Sequence, residues 1–343
     1  MTPTDIGFRR DYPTYSVSVE QYRLFREQGY VIVKGLLPQE DVQAMNADMD
    51  HMLAGQAVTD ADLNDPKAFG LKPGDREAWV RGHMLHRLSP LHEYFFLHPR
   101  VLDVLAAIIG PDVLALQTQL FFKKPGQSGQ GYHQDAYYLA TFPDTLCGAW
   151  MALTPATQAN GCLWFAVGSH HEPIYPDPQG GGASLTTNIS DLGTIENASH
   201  TDLSINTLSR IVKKYEGRLM PVEVEAGDVL FFGGHLIHWS FSNQSDIPRR
   251  TFVSHYCNAR SLVRWSREQV WEGEGANYQH ILARGDSHLP YAQPKFGTPC
   301  AANAPRPEKT FGPAQSMMGK DDGMMGAMPH ADGPDPDLSV IRR

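Results

Sequence analysis

Helical patterns occupy the first 110 residues of this chain, and short strand-like segments occupy most of the following 150. Ser18 and Gln21 form a capping-box pattern, which predicts a first helix that ends at Gly29. A second helix is predicted to open at Pro38, and a third to run over residues 99–109. This order of elements restricts the chain to folds in which helices pack on a separate, strand-built core.

The strand-like segments are rich in β-branched and aromatic residues and are separated by Gly, Pro, Asn and Asp turns. They cover residues 30–33, 113–122, 146–153, 162–167, 219–225, 229–232 and 250–258. Because the strands are short and follow the helices, we predict an α+β domain whose strands form a sandwich or barrel.

Two segments do not fit the helix-then-strand pattern. Residues 176–217 interrupt the strands with a Gly-Gly-Gly run and a helix-like stretch at 203–215, and an insertion of this length predicts a lid or binding loop. Residues 301–343 are rich in Pro, Gly, Ala and Asp, which predicts a disordered tail. We therefore expect one domain over residues 1–300, with a helical part at about 18–110 and a strand core at about 112–260.

Charge and apolar content exclude several classes of partner. The net charge is −9, and the basic residues occur only as short runs such as Lys123-Lys124, so nucleic acid is not an expected ligand. No apolar run approaches the ~18 residues that a membrane span needs, and the first residues lack a targeting pattern. The four cysteines form no CxxC pair. These features predict a cytoplasmic protein with free thiols.

The first candidate metal ligands are His133 and Asp135, which lie two residues apart and would share one face of an extended strand. His238 follows about a hundred residues later, after Gly227-Asp228 and an apolar run. Two histidines and one carboxylate form the facial triad of non-haem iron(II) oxygenases, which leaves three coordination positions open. Arg249 begins a later apolar strand and can clamp a carboxylate with two hydrogen bonds.

These motifs, in this order, resemble the phytanoyl-CoA dioxygenase family, the branch of iron/2-oxoglutarate oxygenases that includes ectoine hydroxylase. The matching stretches are residues 25–37, 117–126, 132–135, 160–170 and 227–249. The resemblance implies a double-stranded β-helix, the jelly-roll or cupin-like core, with the N-terminal helices packed on one sheet. It also implies iron(II) as cofactor, with 2-oxoglutarate and O₂ as cosubstrates.

Carried over by residue, the resemblance implies that His133, Asp135 and His238 bind iron. It implies that Arg249 binds the distal carboxylate of 2-oxoglutarate and that Gln117 and Ser240 contact the same molecule. His235 competes with His238 as the third ligand, but the family's spacing from the Gly-Asp motif favours His238. Candidates for the substrate wall are aromatic: Phe121, Tyr137, Trp150 and Trp239.

Two departures from the family bear on the reaction. Many relatives have a tryptophan where this chain has Leu139, so the pocket wall is expected to differ there. Relatives that halogenate lack the carboxylate ligand, whereas Asp135 is present and favours hydroxylation of a small-molecule metabolite. Desaturation, ring formation or epimerisation at the same site, a zinc hydrolase and a non-catalytic ligand-binding barrel are the alternatives, and the oligomeric state is not predicted.

Overall fold

The computed structural model describes residues 12–53, 81–83, 85–87, 89–175, 206, 208–263 and 280–287. The predicted tail at 301–343 and Cys300 lie outside these residues, as do residues 176–205 and 207 of the insertion predicted at 176–217. Within the described part, helices and antiparallel sheets form an α+β fold with a jelly-roll core, as predicted.

Five α-helices lie in the described residues: α1 Val19–Gln28, α2 Gln39–Leu53, α3 Pro90–Phe96, α4 Pro99–Ile108 and α5 Ser209–Val212. The capping box of α1 is confirmed, because the Ser18 side chain accepts from the Gln21 backbone and Gln21 bonds back to Ser18. The predicted helix at 203–215 is wrong in extent. Its described part is the single turn of α5, which continues as a 3₁₀ helix, Lys213–Arg218, because Gly217 interrupts the helical pattern.

Thirteen strands lie in the described residues. They are β1 Tyr30–Val33, β2 Arg81–His83, β3 Val113–Lys123, β4 Gln130–His133, β5 Thr141–Phe142, β6 Cys147–Ala152, β7 Leu163–Ala166, β8 Leu219–Val222, β9 Val229–Gly233, β10 His238–Ser240, β11 Arg249–Asn258, β12 Leu262–Val263 and β13 Ile281–Arg284. The seven strands of the major sheet have the order β1-β9-β6-β11-β3-β13, with β2 also paired to β3. The minor sheet has the order β4-β10-β7-β8, and β12 pairs with β5.

The helices cover one face of the major sheet, as predicted. Phe95 and Phe96 of α3 and Val104 of α4 are fully buried in one apolar cluster with Phe231 and Phe252 of the sheet. Residues alternate between faces along a strand, so Val253, next to Phe252, points to the opposite side. That side faces the minor sheet, and a cavity lies between the two sheets.

A buried polar cluster ties the N-terminal segment to the helical layer. The Asp41 carboxylate on α2 is 2% exposed and accepts hydrogen bonds from Tyr12 (2.9 Å), Tyr94 (3.1 Å) and His98 (3.2 Å). Burial raises the pKa of Asp41, but the hydrogen bonds from His98 and Tyr12 outweigh it, and the pKa lies below its ordinary value. The cluster therefore stabilises the charged carboxylate.

We expect Asp41→Ala to lower the free energy of unfolding by about 3–5 kcal/mol, since the buried Tyr94 and His98 lose their acceptor. Because the folded-state pKa is depressed, this contribution is present above the unfolded pKa of about 3.9 and is lost as pH falls through the folded value. Denaturant titrations at pH 7 and below pH 4 measure both effects. Glu40→Ala, which removes an exposed acceptor of Tyr12 at 3.1 Å, is the control and should change stability by less than about 1 kcal/mol.

Candidate metal centre

His133, Asp135 and His238 converge at one end of the cavity, where one potential ligand atom from each lies within 4.8 Å of the others. His133 ends β4 and His238 begins β10, and the two residues are register partners in the minor sheet. Asp135 Oδ1 lies 3.7 Å from Nε2 of His133 and 3.7 Å from Nε2 of His238. Three side chains predicted as ligands are thus brought together within the described part of the chain.

Asp135 does not lie in a strand, so the extended-strand rationale for its direction is wrong. β4 ends at His133, Gln134 is still extended with φ −123°, and Asp135 opens a 3₁₀ turn, Asp135–Tyr137. The extended Gln134 preserves the two-residue alternation, and a hydrogen bond from the Ala136 N–H to the Gly234 carbonyl (2.9 Å) holds the turn beside the end of β9.

Backbone carbonyls orient both imidazoles. Nδ1 of His133 lies 2.8 Å from the Gly131 carbonyl, and Nδ1 of His238 lies 2.9 Å from the Leu236 carbonyl. A carbonyl oxygen only accepts, so Nδ1 carries the proton in each ring and the Nε2 lone pair faces Asp135 Oδ1. In His133 this nitrogen also lies 2.8 Å from the Gln130 amide nitrogen. The two rings are therefore oriented as metal ligands by the chain itself.

Burial and nearby side chains keep His133 and Asp135 in the protonation states that bind a metal. Burial, and then the nearby His238, lower the pKa of His133 to about 3, so the ring is neutral at physiological pH. Burial raises the pKa of Asp135, but His238 and His255 outweigh it and the carboxyl stays ionised. Two imidazoles and one carboxylate fit iron(II) in the 2-His-1-carboxylate arrangement. The residues present therefore fit the metal that the sequence predicts.

Arg249 lies in the same cavity as the three residues. It is fully enclosed, and burial lowers the pKa of its guanidinium to about 10. Nη1 donates to the Gly161 carbonyl, the guanidinium carbon lies 5.4 Å from the Trp150 ring, and Nε has no hydrogen-bond partner. A buried guanidinium with an unsatisfied donor fits an anionic ligand, because an unpaired buried charge is otherwise strongly unfavourable.

Lys123 contributes a second buried cation that sequence analysis missed. It is the register partner of Arg249 on β3, and Nζ donates to the Phe241 carbonyl at 2.6 Å and to Ser240 Oγ at 3.1 Å. The sequence feature that could have identified it is a lysine two residues after Phe121 on an apolar strand, which places both side chains on the same face. Gly161, at φ +79°, permits this packing, because a Cβ there would lie 2.9 Å from Lys123 Nζ.

The other predicted site residues divide into two groups. Ser240, Phe121 and Trp150 line the cavity, as do His133, Asp135, His238 and Arg249. Tyr137 and Trp239 do not line it. Tyr137 packs in an apolar cluster with Leu114 and Leu116 of β3, and Trp239 is buried in the apolar cluster that includes Trp164. Gln117 also does not line it, and its amide contacts His255 at 3.0 Å. The roles given to these residues stay predictions.

His235 lies outside the group formed by the three potential ligands. Its Nδ1 contacts the Glu172 carbonyl at 2.7 Å, and its Nε2 pairs with the Asp144 carboxylate. Both ring nitrogens are thus engaged away from His133 and Asp135, which makes His238 the better ligand.

Replacing His235 by alanine should therefore leave metal binding intact. The loss of its two partners should lower the free energy of unfolding by about 1–3 kcal/mol. His238→Ala is the matched comparison and should lose metal binding. Metal titration of both purified variants measures the difference, and loss of binding in the His235 variant would reverse the assignment.

Solved structures share the fold. EctD from S. alaskensis with 2-oxoglutarate and 5-hydroxyectoine is 17% identical with a TM-score of 0.55, over 81% of this chain and 88% of that one. The ThoJ non-haem monooxygenase in its apo form is 22% identical with a TM-score of 0.55, over 80% and 86%. SnoN, an α-ketoglutarate-dependent epimerase solved with Fe³⁺ and α-ketoglutarate, is 20% identical with a TM-score of 0.52, over 80% and 96%.

Sequence relatives extend the comparison to the family. The family model for phytanoyl-CoA dioxygenase (PhyH) matches residues 25–251, about two thirds of the chain. Phytanoyl-CoA dioxygenase 1 of Oryza sativa subsp. japonica is 29% identical over 285 residues, which cover 75% of this chain and 94% of the relative. Phytanoyl-CoA dioxygenase domain-containing protein 1 of Danio rerio is 27% identical over 286 residues, covering 71% and 91%.

Fold, donor set and family match together define a non-haem iron(II), 2-oxoglutarate-dependent oxygenase that also uses O₂. Within that class, the chain belongs to the phytanoyl-CoA dioxygenase family. None of the described helices has the length and apolar composition that crossing a bilayer requires.

Proposed function

We propose that the protein hydroxylates a C–H bond of a small-molecule metabolite, releasing succinate and CO₂ from 2-oxoglutarate. In this proposal His133, Asp135 and His238 hold the iron(II), and Arg249 binds the distal carboxylate of 2-oxoglutarate. The observation that carries the proposal is that the facial triad and a buried guanidinium with an unsatisfied donor line one cavity. A zinc hydrolase would use the triad but would leave Arg249 buried without a counter-charge.

Bound iron(II), together with 2-oxoglutarate, supplies the activation of O₂ on which oxidation of an unactivated C–H bond depends. The chain's own task is to orient the reactants and exclude water. Arg249 offers a planar fork that fixes one end of a dicarboxylate, and Lys123 adds a cation beside it. Part of the cavity wall is apolar and is formed by Phe121, Trp150 and Phe232. This wall excludes water from the site and thereby strengthens the electrostatic contacts.

The charge of the cavity favours a substrate without phosphate groups. Among the described residues that line it, Lys123 and Arg249 are the only lysine and arginine side chains, and both are buried. In this proposal both cations interact with 2-oxoglutarate and neither is available to the substrate. Apart from the proposed metal ligands, the polar lining includes the uncharged side chains of Gln119, Gln127 and Gln130 as hydrogen-bonding groups. These features support a small neutral or zwitterionic substrate over an acyl-CoA thioester.

The test is succinate release from 2-oxoglutarate by protein loaded with iron under anaerobic conditions and then exposed to O₂ and a panel of metabolites. We expect release that a neutral or zwitterionic member stimulates and that chelator abolishes. Mass spectrometry of the products identifies the reaction, since hydroxylation adds one oxygen atom and desaturation removes two hydrogens. Product formed with zinc and without 2-oxoglutarate would overturn the proposal.

A further inference from the structure

The two oxygens of the Asp135 carboxylate have different surroundings. Oδ1 faces Nε2 of His133 and Nε2 of His238, at 3.7 Å from each. Oδ2 lies 2.9 Å from Nε2 of His255. One oxygen thus faces the position where the metal fits, and the protein itself holds the other.

Gln117 orients the His255 ring through Nδ1, the ring nitrogen that does not contact Asp135. Its amide nitrogen lies 3.0 Å from Nδ1 of His255. An amide nitrogen only donates, so Nδ1 accepts from Gln117, and Nε2 carries the proton that is donated to Asp135. The exposed fractions of Gln117, His255 and Asp135 are 3%, 4% and 7%, so water does not compete for these bonds.

The fold supplies this arrangement from two strands of the major sheet. His255 on β11 and Gln117 on β3 are register partners, and the register shifts immediately after His255. Such an irregularity re-aims a side chain relative to its strand. His255 lies six residues after Arg249, so both face the cavity. The major sheet therefore holds both the cosubstrate anchor and a hydrogen-bond donor to the carboxylate ligand.

We infer that His255, oriented by Gln117, is a positioning residue that restrains Asp135 to bind the metal through Oδ1 alone. The inference rests on the proposed iron site. A carboxylate can bind a metal through one oxygen or through two. If Asp135 used both, the protein would fill a fourth coordination position, and a facial triad must keep three open for 2-oxoglutarate and O₂. The hydrogen bond to Oδ2 prevents that second contact.

The informative variant is His255→Phe, which keeps a planar ring and removes the donor. Loss of an outer hydrogen bond to a ligand typically weakens metal binding about 10–100-fold, and we expect a loss in that range. At saturating Co²⁺, used as the probe metal, the visible absorption spectrum should change because Oδ2 becomes free to coordinate. Affinity for 2-oxoglutarate at saturating Co²⁺ should fall as well, since one of its two coordination positions is then contested.

Two further variants separate positioning from damage to the fold. His255→Gln retains a side-chain N–H donor and should restore part of the wild-type Co²⁺ spectrum. His92→Phe removes a histidine that is 1% exposed and pairs with Asp48 at 2.7 Å, and its ring packs on Phe252 on the helical side of the major sheet. This control should lose stability and keep the wild-type spectrum and 2-oxoglutarate affinity.

Each outcome has a distinct reading. A changed Co²⁺ spectrum and weaker 2-oxoglutarate binding in His255→Phe, with partial recovery in His255→Gln, support the inference. A wild-type spectrum and wild-type affinity in His255→Phe overturn it and leave the proposed function intact. Failure of the wild-type protein to bind Co²⁺ or 2-oxoglutarate overturns the proposed function itself, and the inference with it.

Discussion

Replacing Asp135 by alanine is expected to reduce iron-dependent turnover of 2-oxoglutarate by more than about 100-fold. Loss of a residue that only hydrogen-bonds to a metal ligand typically costs less than this. The reason is charge as well as geometry. Asp135 is the only carboxylate in the group of potential ligands found among the described residues, so the variant would leave two imidazoles and no carboxylate to hold a dication. Succinate release and metal titration, made on the same preparation, measure the effect.

The control for this prediction is Asp144→Ala. Asp144 is a carboxylate nine residues further along the chain that pairs with His235 rather than with His133 or His238. Its loss should affect stability and leave metal affinity unchanged. Equal metal affinity in the Asp135 variant and the wild type would remove the carboxylate from the proposed centre.

Replacing Arg249 by leucine is expected to separate stability from cosubstrate binding. Truncation of one partner of a buried, hydrogen-bonded charge pair costs about 2–5 kcal/mol, which corresponds to at least a ~30-fold rise in the dissociation constant for 2-oxoglutarate. Without the ligand, the guanidinium is a buried charge with an unsatisfied Nε, so its removal should leave the stability of the ligand-free protein nearly unchanged. Calorimetric titration and thermal unfolding measure the two effects.

The adjacent Arg250 provides a matched control, because it points to the opposite face of β11. It contacts Asp50 at 2.6 Å and the Asn46 carbonyl at 3.2 Å, both on α2. Arg250→Leu should weaken the attachment of α2 and leave 2-oxoglutarate affinity unchanged. A result in which Arg250→Leu weakens 2-oxoglutarate binding as much as Arg249→Leu would contradict the assigned anchor.

The sequence predicted the elements whose limits are set by residues nearby in the chain. Ser18 caps the beginning of α1 with its side chain. Gly29 ends the helix because it adopts a left-handed backbone conformation, with φ 85°. Long strands such as β3 and β11 were predicted within a residue of their ends, because both faces of the strand are buried over almost its whole length. In the helical layer, α1, α2 and α4 were predicted from helical patterns.

Strands that exist through long-range pairing could not be predicted in this way. β10 contains three residues and β4 contains four, and their sequences are mainly polar. They are strands because β10 pairs with β4 on one side and with β7 on the other. α3 was missed for a related reason, since its short sequence is stabilised by burial of Phe95 and Phe96 rather than by a capping side chain.

The candidate centre shows the same division. Residue types and spacing indicated His133, Asp135, His238 and Arg249, which line one cavity. The contacts of Gln117 were not predictable from spacing, because whether an inward side chain reaches a ligand or another side chain depends on the register of β3 and β11. His255 was missed because a histidine in an apolar strand has no local signal of its partner.

The central claim is that one metal ion, held by His133, Asp135 and His238, presents a binding site for 2-oxoglutarate that Arg249 completes. The most direct measurement is an anaerobic calorimetric titration of the purified protein with 2-oxoglutarate, in the presence and absence of iron(II). We predict saturable binding of one 2-oxoglutarate per chain that requires the metal, and loss of this binding in Asp135→Ala. Binding that is the same with and without iron, or unchanged in Asp135→Ala, would contradict the claim.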